Sequence, residues 1–216
     1  MDETKRMKKL FIVGAGGFGR EVLQWAKDAN RKSCAWDIVG FISDDPHALT
    51  EVECDYKILS DVENCIPSVD VEYMIAVGAP KSKKTIVENL RAKGANFASL
   101  IHPTAQVSEF VKIGEGTIIC PNAEISPNVK IGNFCTILNA GIGHDVTVDD
   151  FTTISGGCFL NGGVAIGRGV FIGCGALIVP GKTVGDDAKI GIGSVVINNI
   201  PAGVSVFGNP AKRING

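Results

Sequence analysis

A branched aliphatic residue returns every sixth position through the second half of this chain, at Val107, Ile113, Ile119, Ile125, Ile131 and Ile137. A second series with the same step follows at Ile142, Val148, Ile154, Leu160, Ile166, Ile172, Ile178, Val184, Ile190 and Val196. The two are offset by one residue, because Ile137 to Ile142 is a step of five. Six residues advance an α-helix by about 1.7 turns, so a helix would scatter this stripe over its surface. A parallel β-helix of hexapeptide repeats accommodates it, each short strand sending one aliphatic inward before a tight corner. An irregular β-sandwich would not hold the phase over so long a stretch. Glycine often follows the aliphatic directly, at positions 114, 132, 167, 173, 185 and 191, and corners of such a prism favour φ > 0. A narrow interior taking one aliphatic per face also accounts for 27 glycines and only 6% aromatics in 216 residues.

The first half follows a different pattern, alternating short apolar runs with helix-like segments as a small parallel α/β domain does. Leu10 to Val13, Ile38 to Ile42 and Tyr73 to Val77 read as strands, and a last short one is expected over Phe97 to Ile101. Arg20 to Ala29 reads as a helix with Val22, Leu23, Trp25 and Ala26 inward, and a second helix is expected from about Lys83 to Lys93. The expected division is 1–102 for a Rossmann-like domain and 103–216 for the β-helix. The chain carries 21 Lys and Arg against 23 Asp and Glu, a net charge of −2 without a basic stripe, which argues against nucleic acid as a partner. The N-terminal MDETKRMKKL leads into only four apolar residues, so neither a signal peptide nor membrane insertion is expected. Seven cysteines, widely spread and never spaced C-x-x-C, read as reduced residues of a cytoplasmic protein.

Two motifs carry chemistry. Gly14-x-Gly16-x-x-Gly19 lies between a strand and a helix, where glycines permit close backbone approach and the helix N-terminus offers N–H groups to a phosphate. The domain is only about one mononucleotide-binding half in length, which favours a nucleotide-sugar over a dinucleotide. Of the three histidines, His47 lies in a polar loop and His102 precedes Pro103 at the domain junction. His144 instead sits two residues after an inward aliphatic, beside Asp145, and an imidazole is suited to take a proton at neutral pH. Asp145 would orient the ring as a carboxylate does in triad-like sites. Adjacent strand residues point to opposite faces, so the pair needs a corner or irregularity, which the five-residue step gives reason to expect; a regular backbone would make Asp149 or Asp150 the partner. Cys120, Cys135, Cys158 and Cys174 fall within the hexads with no neighbouring histidine and are read as packing residues rather than acyl-carrying nucleophiles. A three-histidine metal site of the hydratases that share this β-helix is not expected, since His47 and His102 lie outside the hexads.

With Gly14 to Gly19, Asp44-Asp45, Ile101-His102-Pro103-Thr104, Gly143-His144-Asp145 and the terminal Gly208 to Arg213, the chain from Lys9 to Ile214 resembles the bacterial hexapeptide-repeat sugar acetyltransferases. That family includes sialic-acid O-acetyltransferases and nucleotide-amino-sugar N-acetyltransferases. The resemblance implies a left-handed β-helix, a homotrimer with acetyl-CoA between neighbouring helices, and a role in polysaccharide biosynthesis. It makes Gly14, Gly16, Gly17, Asp44, Asp45 and Gly78 candidates for holding the nucleotide-sugar, with Asn139 as the nearest counterpart of an upstream sugar-contacting asparagine. It places pantetheine against Thr153, Gly162, Cys174, Gly191 and Ile192, with Lys212 and Arg213 within the reach of CoA phosphates. The expected reaction is direct attack of a nucleotide-linked 4-amino sugar on the acetyl-CoA thioester. His144 is the general base, Asp145 its support and a backbone N–H the oxyanion donor, with no metal. O-acetylation of sialic acid or another sugar hydroxyl, and a catalytically silent nucleotide-binding trimer, are the alternatives.

Overall fold

The computed structural model describes residues 7–214, so residues 1–6 of the charged N-terminal segment lie outside it. Two compact units are formed, one reaching to Val77 and including Lys84–Ala98, the other comprising Gly78–Lys83 and the chain from Ser99 onward. The division falls four residues before the expected one, for a reason visible in the strand pairing. The strand expected over Phe97 to Ile101 is two strands: Asn96–Phe97 pairs within the α/β sheet, whereas Leu100–Ile101 pairs with Ile118–Ile119 as the opening of the β-helix.

The first unit contains β1 (Lys8–Val13), α1 (Gly17–Ser33), β2 (Trp36–Ile42), β3 (Ile58–Ser60), β4 (Val71–Ile75), most of α2 (Pro80–Ala92) and β5 (Asn96–Phe97). Its sheet is wholly parallel with the order β3-β2-β1-β4-β5. Strand order reverses between β1 and β4, the position at which open α/β sheets bind ligands beyond their carboxyl ends. Helix α1 buries Gly19, Val22, Leu23, Ala26 and Ala29 along one stripe. Trp25 is only half-buried and meets the Phe18 ring edge-on.

The second unit is a parallel β-solenoid of two-residue strands joined by corners. Its first face stacks Leu100–Ile101, Ile118–Ile119, Thr136–Ile137, Thr153–Ile154, Phe171–Ile172 and Lys189–Ile190. The second stacks Gln106–Val107, Glu124–Ile125, Gly141–Ile142, Phe159–Leu160, Leu177–Ile178 and Val195–Val196, and the third runs from Lys112–Ile113 to Thr183–Val184. In the middle coils the second residue of each strand points inward and is nearly inaccessible, from Ile119 through Ile137, Ile154 and Ile172 to Ile190. The step of five is absorbed in one corner: Leu138–Ala140 has three residues, where Cys120–Ala123 before it and Ser155–Cys158 after it have four. Strand register is kept through this deletion, since Ile137 pairs with Ile154 and Ile125 with Ile142.

Glycine serves the solenoid in two distinct ways. The second turn residue of a four-residue corner has a left-handed backbone, as at Asn122 (φ 57°), Asn128 (φ 63°), Asp145 (φ 60°), Gly163 (φ 70°) and Gly193 (φ 65°). This is where the φ > 0 argument applies, and Asn, Asp and Gly are the residues that tolerate it best. The glycines directly after the inward aliphatics are different, because φ there is not positive. A Cβ on Gly185 would lie 2.4 Å from the Ala202 backbone nitrogen, and one on Gly173 2.8 Å from that of Ile192. They are required by the close stacking of one coil on the next.

Gly185→Ala therefore forces backbone against backbone and is expected to destabilise the protein by about 1–3 kcal/mol in denaturant unfolding. Gly193→Asn, placed in a left-handed corner with open space around it, is expected to change stability by no more than about 0.5 kcal/mol.

Candidate active site

His144 and Asp145 are the two central residues of an ordinary four-residue corner between the second and third faces. The short corner at Asn139 lies one turn earlier, so it is not what brings the pair together. The left-handed backbone of Asp145 turns its side chain alongside that of His144, and the imidazole Nδ1 lies 2.8 Å from Asp145 Oδ2. Neither Asp149 nor Asp150 is needed as partner: the Asp150 carboxylate accepts from the Asn133 backbone and amide. Backbone bonds hold the corner above and below, from Asp145 N–H to the Pro127 carbonyl at 3.2 Å and from Gly163 N–H to the His144 carbonyl at 2.9 Å.

A carboxylate can only accept, so Nδ1–H donates and the Nε2 lone pair is left open. The bond from His144, and after it one from the Asn128 amide to Oδ1 at 3.2 Å, hold the Asp145 carboxyl below its ordinary pKa. The ring lies against the next coil where Gly162 has no side chain; a Cβ there would stand 2.5 Å from Nε2 and Cε1. His144 and Gly162 share a cavity of about 430 Å³ with Glu124, Ser126, Phe159 and Asn161. These last four were not singled out in the sequence; their only signal is being outward-facing on the strands and corners that flank His144. A larger cavity of about 620 Å³ lies on the third face, but no histidine or cysteine lines it.

The other expected residues separate into groups. Cys174, Gly191 and Ile192 line one apolar cavity of about 420 Å³ on the first face, with Phe171, Val206 and Ile214. Gly162 is apart from them, beside His144. Thr153, expected against pantetheine, is buried, only 2% exposed. Its hydroxyl donates to the Gly78 carbonyl at 2.8 Å and accepts from the Lys83 ammonium at 3.0 Å. Gly78, a candidate for holding the substrate, thus has its carbonyl engaged inside the second unit. Asn139 is exposed at the short corner, its carbonyl accepting from Gly157 N–H. Lys212 and Arg213 are exposed in a terminal strand antiparallel to Ser205–Phe207.

In the first unit, Gly14 has φ 105° and a Cβ there would meet the Ala76 carbonyl at 2.7 Å. Gly16 caps α1 and Gly17 begins it, both exposed with open space where a side chain would stand. This arrangement leaves the first-turn N–H groups of α1 approachable, as a phosphate requires. Both aspartates after β2 hold turns: Asp44 Oδ1 accepts from Val62 N–H and Asp45 Oδ1 from His47 N–H, each at 2.9 Å. Asp44 also lines a cavity of about 340 Å³ with Asp61, Glu63, Thr85 and Asn89.

Lys83 escaped the sequence reading, because a lysine in a run of lysines reads as solvated. It is 1% exposed, and its three N–H donors are matched by the Phe134 carbonyl, Thr136 Oγ1 and Thr153 Oγ1 at 2.9–3.0 Å. Burial depresses its pKa to about 8. Burial likewise pushes the Cys135 thiol up to about 12 and Cys158 up to about 11, so neither offers a thiolate at neutral pH. His102 accepts from Thr104 N–H through Nδ1 within the first corner of the solenoid. Among the described residues, no three His, Cys, Asp or Glu side chains are grouped as a metal ion would need, and no helix is long and apolar enough to cross a membrane.

The GDP-perosamine N-acetyltransferase of Escherichia coli O157:H7 is 32% identical over 212 residues, covering 94% of this chain and 95% of that protein. The chain belongs to the hexapeptide-repeat sugar acetyltransferase family. Residues 9–90 match the PglD N-terminal domain. The acetyltransferase domain of PglB from Neisseria gonorrhoeae FA1090, solved in complex with acetyl coenzyme A, superimposes with a TM-score of 0.85 at 30% identity, covering 96% of this chain and all of that one. PerB from Caulobacter crescentus, solved with CoA and GDP-perosamine, gives 0.86 at 26% identity over 96% and 97% of the two chains. The fold and the enzyme class expected from the sequence, an acetyl-CoA-dependent acyltransferase, are those of these relatives.

Two outcomes follow from the geometry. A raised folded-state thiol pKa means that stability present below the unfolded value of about 9 is lost as pH climbs through that of the folded state. Between pH 9 and 11, Cys158→Ala is expected to lose less stability than the parent protein in parallel thermal melts. Gly162→Ala places a methyl against the imidazole, and a displacement of about 1 Å is expected to lower turnover roughly 10- to 100-fold with little change in melting temperature.

Proposed function

We propose that the chain transfers the acetyl group of acetyl-CoA to the amine of a nucleotide-linked 4-amino sugar, with His144 as general base. The observation that carries this reading is the His144–Asp145 pair, with Nε2 open to a surface cavity and its tautomer set by a carboxylate. The relatives solved with CoA, acetyl-CoA and GDP-perosamine support the two substrates. In the proposed reaction the sugar amine attacks the thioester carbonyl while Nε2 accepts its proton. Asp145 stabilises the imidazolium that forms, and a backbone N–H holds the oxyanion of the tetrahedral intermediate. Collapse breaks the C–S bond, and the imidazolium returns the proton to the departing thiolate of CoA. The nucleotide is assigned to the first unit, its phosphates at Gly14, Gly16 and Gly17 and its base near Asp44 and Asp45, while Asn139 is kept as the sugar contact.

The working form is proposed to be a homotrimer. On one chain the cavity at His144 and the apolar cavity at Cys174, Gly191 and Ile192 lie on different parts of the solenoid. Phe159 and Leu177 form an exposed apolar stripe on the second face, 54% and 40% accessible. A neighbouring copy covering that stripe would let acetyl-CoA run between two solenoids and shield the reacting groups from water. Seven free thiols support a cytoplasmic location.

The test is thiol release from acetyl-CoA with GDP-, UDP- and dTDP-linked 4-amino sugars as acceptors and free sialic acid as the contrast. Turnover confined to sialic acid would replace N-acetylation by O-acetylation, and none with any acceptor would favour a silent binding protein. With the productive acceptor, His144→Ala is expected to lower kcat about 10²- to 10⁴-fold and to leave KM nearly unchanged; unaltered kcat would remove His144 as the base.

A further inference from the structure

Outside the His–Asp pair, one side chain is placed where it could govern how the pair works. Asn128 occupies, one coil earlier, the same left-handed corner position as Asp145, with φ 63° against 60°. The two corners are tied by the backbone bond from Asp145 N–H to the Pro127 carbonyl. Because Leu138–Ala140 is one residue short, Asn128 and Asp145 are 17 residues apart, where a full coil such as Asp145 to Gly163 spans 18. The Asp145 carboxylate is engaged at both ends: Oδ1 accepts from the Asn128 amide at 3.2 Å and Oδ2 from His144 Nδ1 at 2.8 Å.

The distribution of these two bonds matters chemically. The Asp145 side chain is 58% accessible and that of His144 70%, so neither is locked by packing. A carboxylate free to rotate about χ2 would exchange its oxygens and trade the imidazole for water, and an exposed charged contact by itself contributes little. An amide on Oδ1 removes that freedom and leaves Oδ2 for the ring. Free imidazole has no reason to keep its proton on Nδ1, whereas a ring held by Oδ2 must, and only then is Nε2 a base. We propose that Asn128 is a positioning residue of the acetyl-transfer site, acting through Asp145 to hold His144 in the Nδ1–H tautomer with Nε2 unprotonated. This rests on the assignment of His144 as base, but it can fail separately.

The test uses the full-length protein and two variants that both tolerate a left-handed backbone. Asn128→Gly removes the side chain without straining the corner, and Asn128→Asp keeps its shape while replacing the donor with a like charge against Asp145. Long-range ¹H–¹⁵N spectra of ¹⁵N-histidine-labelled protein, recorded above the titration of the rings, report the tautomer without any substrate. The His144 signals are assigned by their loss in His144→Ala, and His102, whose Nδ1 accepts rather than donates, is the internal reference. The parent is expected to hold His144 as the Nδ1–H form. Both variants are expected to shift it toward the Nε2–H form that dominates in free histidine, with His102 unmoved and the melting temperature nearly constant. With the productive acceptor, Asn128→Gly is expected to lower kcat three- to tenfold without raising KM. In an Asp145→Asn background the same change should add nothing further.

A tautomer that stays on Nδ1 in both variants overturns the inference, as does a full additional loss in the Asp145→Asn background. Retention in Asn128→Asp alone would also overturn it, since side-chain shape rather than donation would then be at work. A collapse of kcat in His144→Ala combined with an unmoved tautomer in Asn128→Gly would leave the base in place and remove Asn128 alone. An active His144→Ala with a shifted tautomer would do the reverse.

Discussion

The second unit depends on a backbone device: at most of its four-residue corners one residue takes a left-handed conformation, which lets a two-residue strand turn and the next restart in register. That conformation recurs from Asn122 to Gly193 and is mostly taken by asparagine, aspartate or glycine. Phe134 and Phe151 take it at φ 54° and 62°, and their rings stack on each other at 5.4 Å. Contact between rings on successive coils offsets part of the strain of a bulky left-handed residue. Aspartate at this position has a second consequence, since its carboxylate is projected from the prism beside the residue before it. The device that turns these corners thus also creates a place for a paired histidine and carboxylate.

How far this was legible in the sequence depends on which physical signal each part carries. The solenoid was readable because its interior admits one aliphatic per face, so every inward position from Ile119 to Ile190 repeats the same demand. The glycines were legible as a set but not in their division of labour. Gly173 and Gly185 are required by the coil stacked next to them, and that neighbour lies about 18 residues away, beyond any local pattern. The skipped residue was visible between Ile137 and Ile142, yet its corner is the one before His144. Hexad phase locates a deletion only to within a corner.

Lys83 and Thr153 illustrate a different limit. Whether a lysine is solvated or buried is decided by what surrounds it, and the three acceptors of Lys83 come from residues 51 to 70 positions away. Desolvating an ammonium is costly unless each N–H is met, which here takes one carbonyl and two threonine hydroxyls. Thr136 and Thr153 face outward by strand alternation and would otherwise be exposed. Their burial follows from the Gly78–Lys83 segment that covers them. The strand at Phe97 to Ile101 was misread for a related reason: both halves are apolar and extended, and only the partner strand distinguishes them.

The location of the His144–Asp145 pair on a corner has a reason beyond family descent. A strand of this solenoid has two residues, one committed to the core and one outward, so a face can display a single functional side chain per coil. Neighbouring side chains on the same face then belong to different coils, about 4.8 Å apart, and their relation is fixed by stacking. A corner escapes this restriction because its two central residues both point away from the core. It allows consecutive residues to form one hydrogen-bonded unit, as His144 and Asp145 do, while the corners of adjacent coils supply what lies on either side. Below the pair that neighbour is Asn128, which can donate to the carboxylate; above it is Gly162, which leaves the imidazole room. A histidine held this way is flanked by the corners of three successive coils, its Nδ1 on the carboxylate and its Nε2 on the side left open.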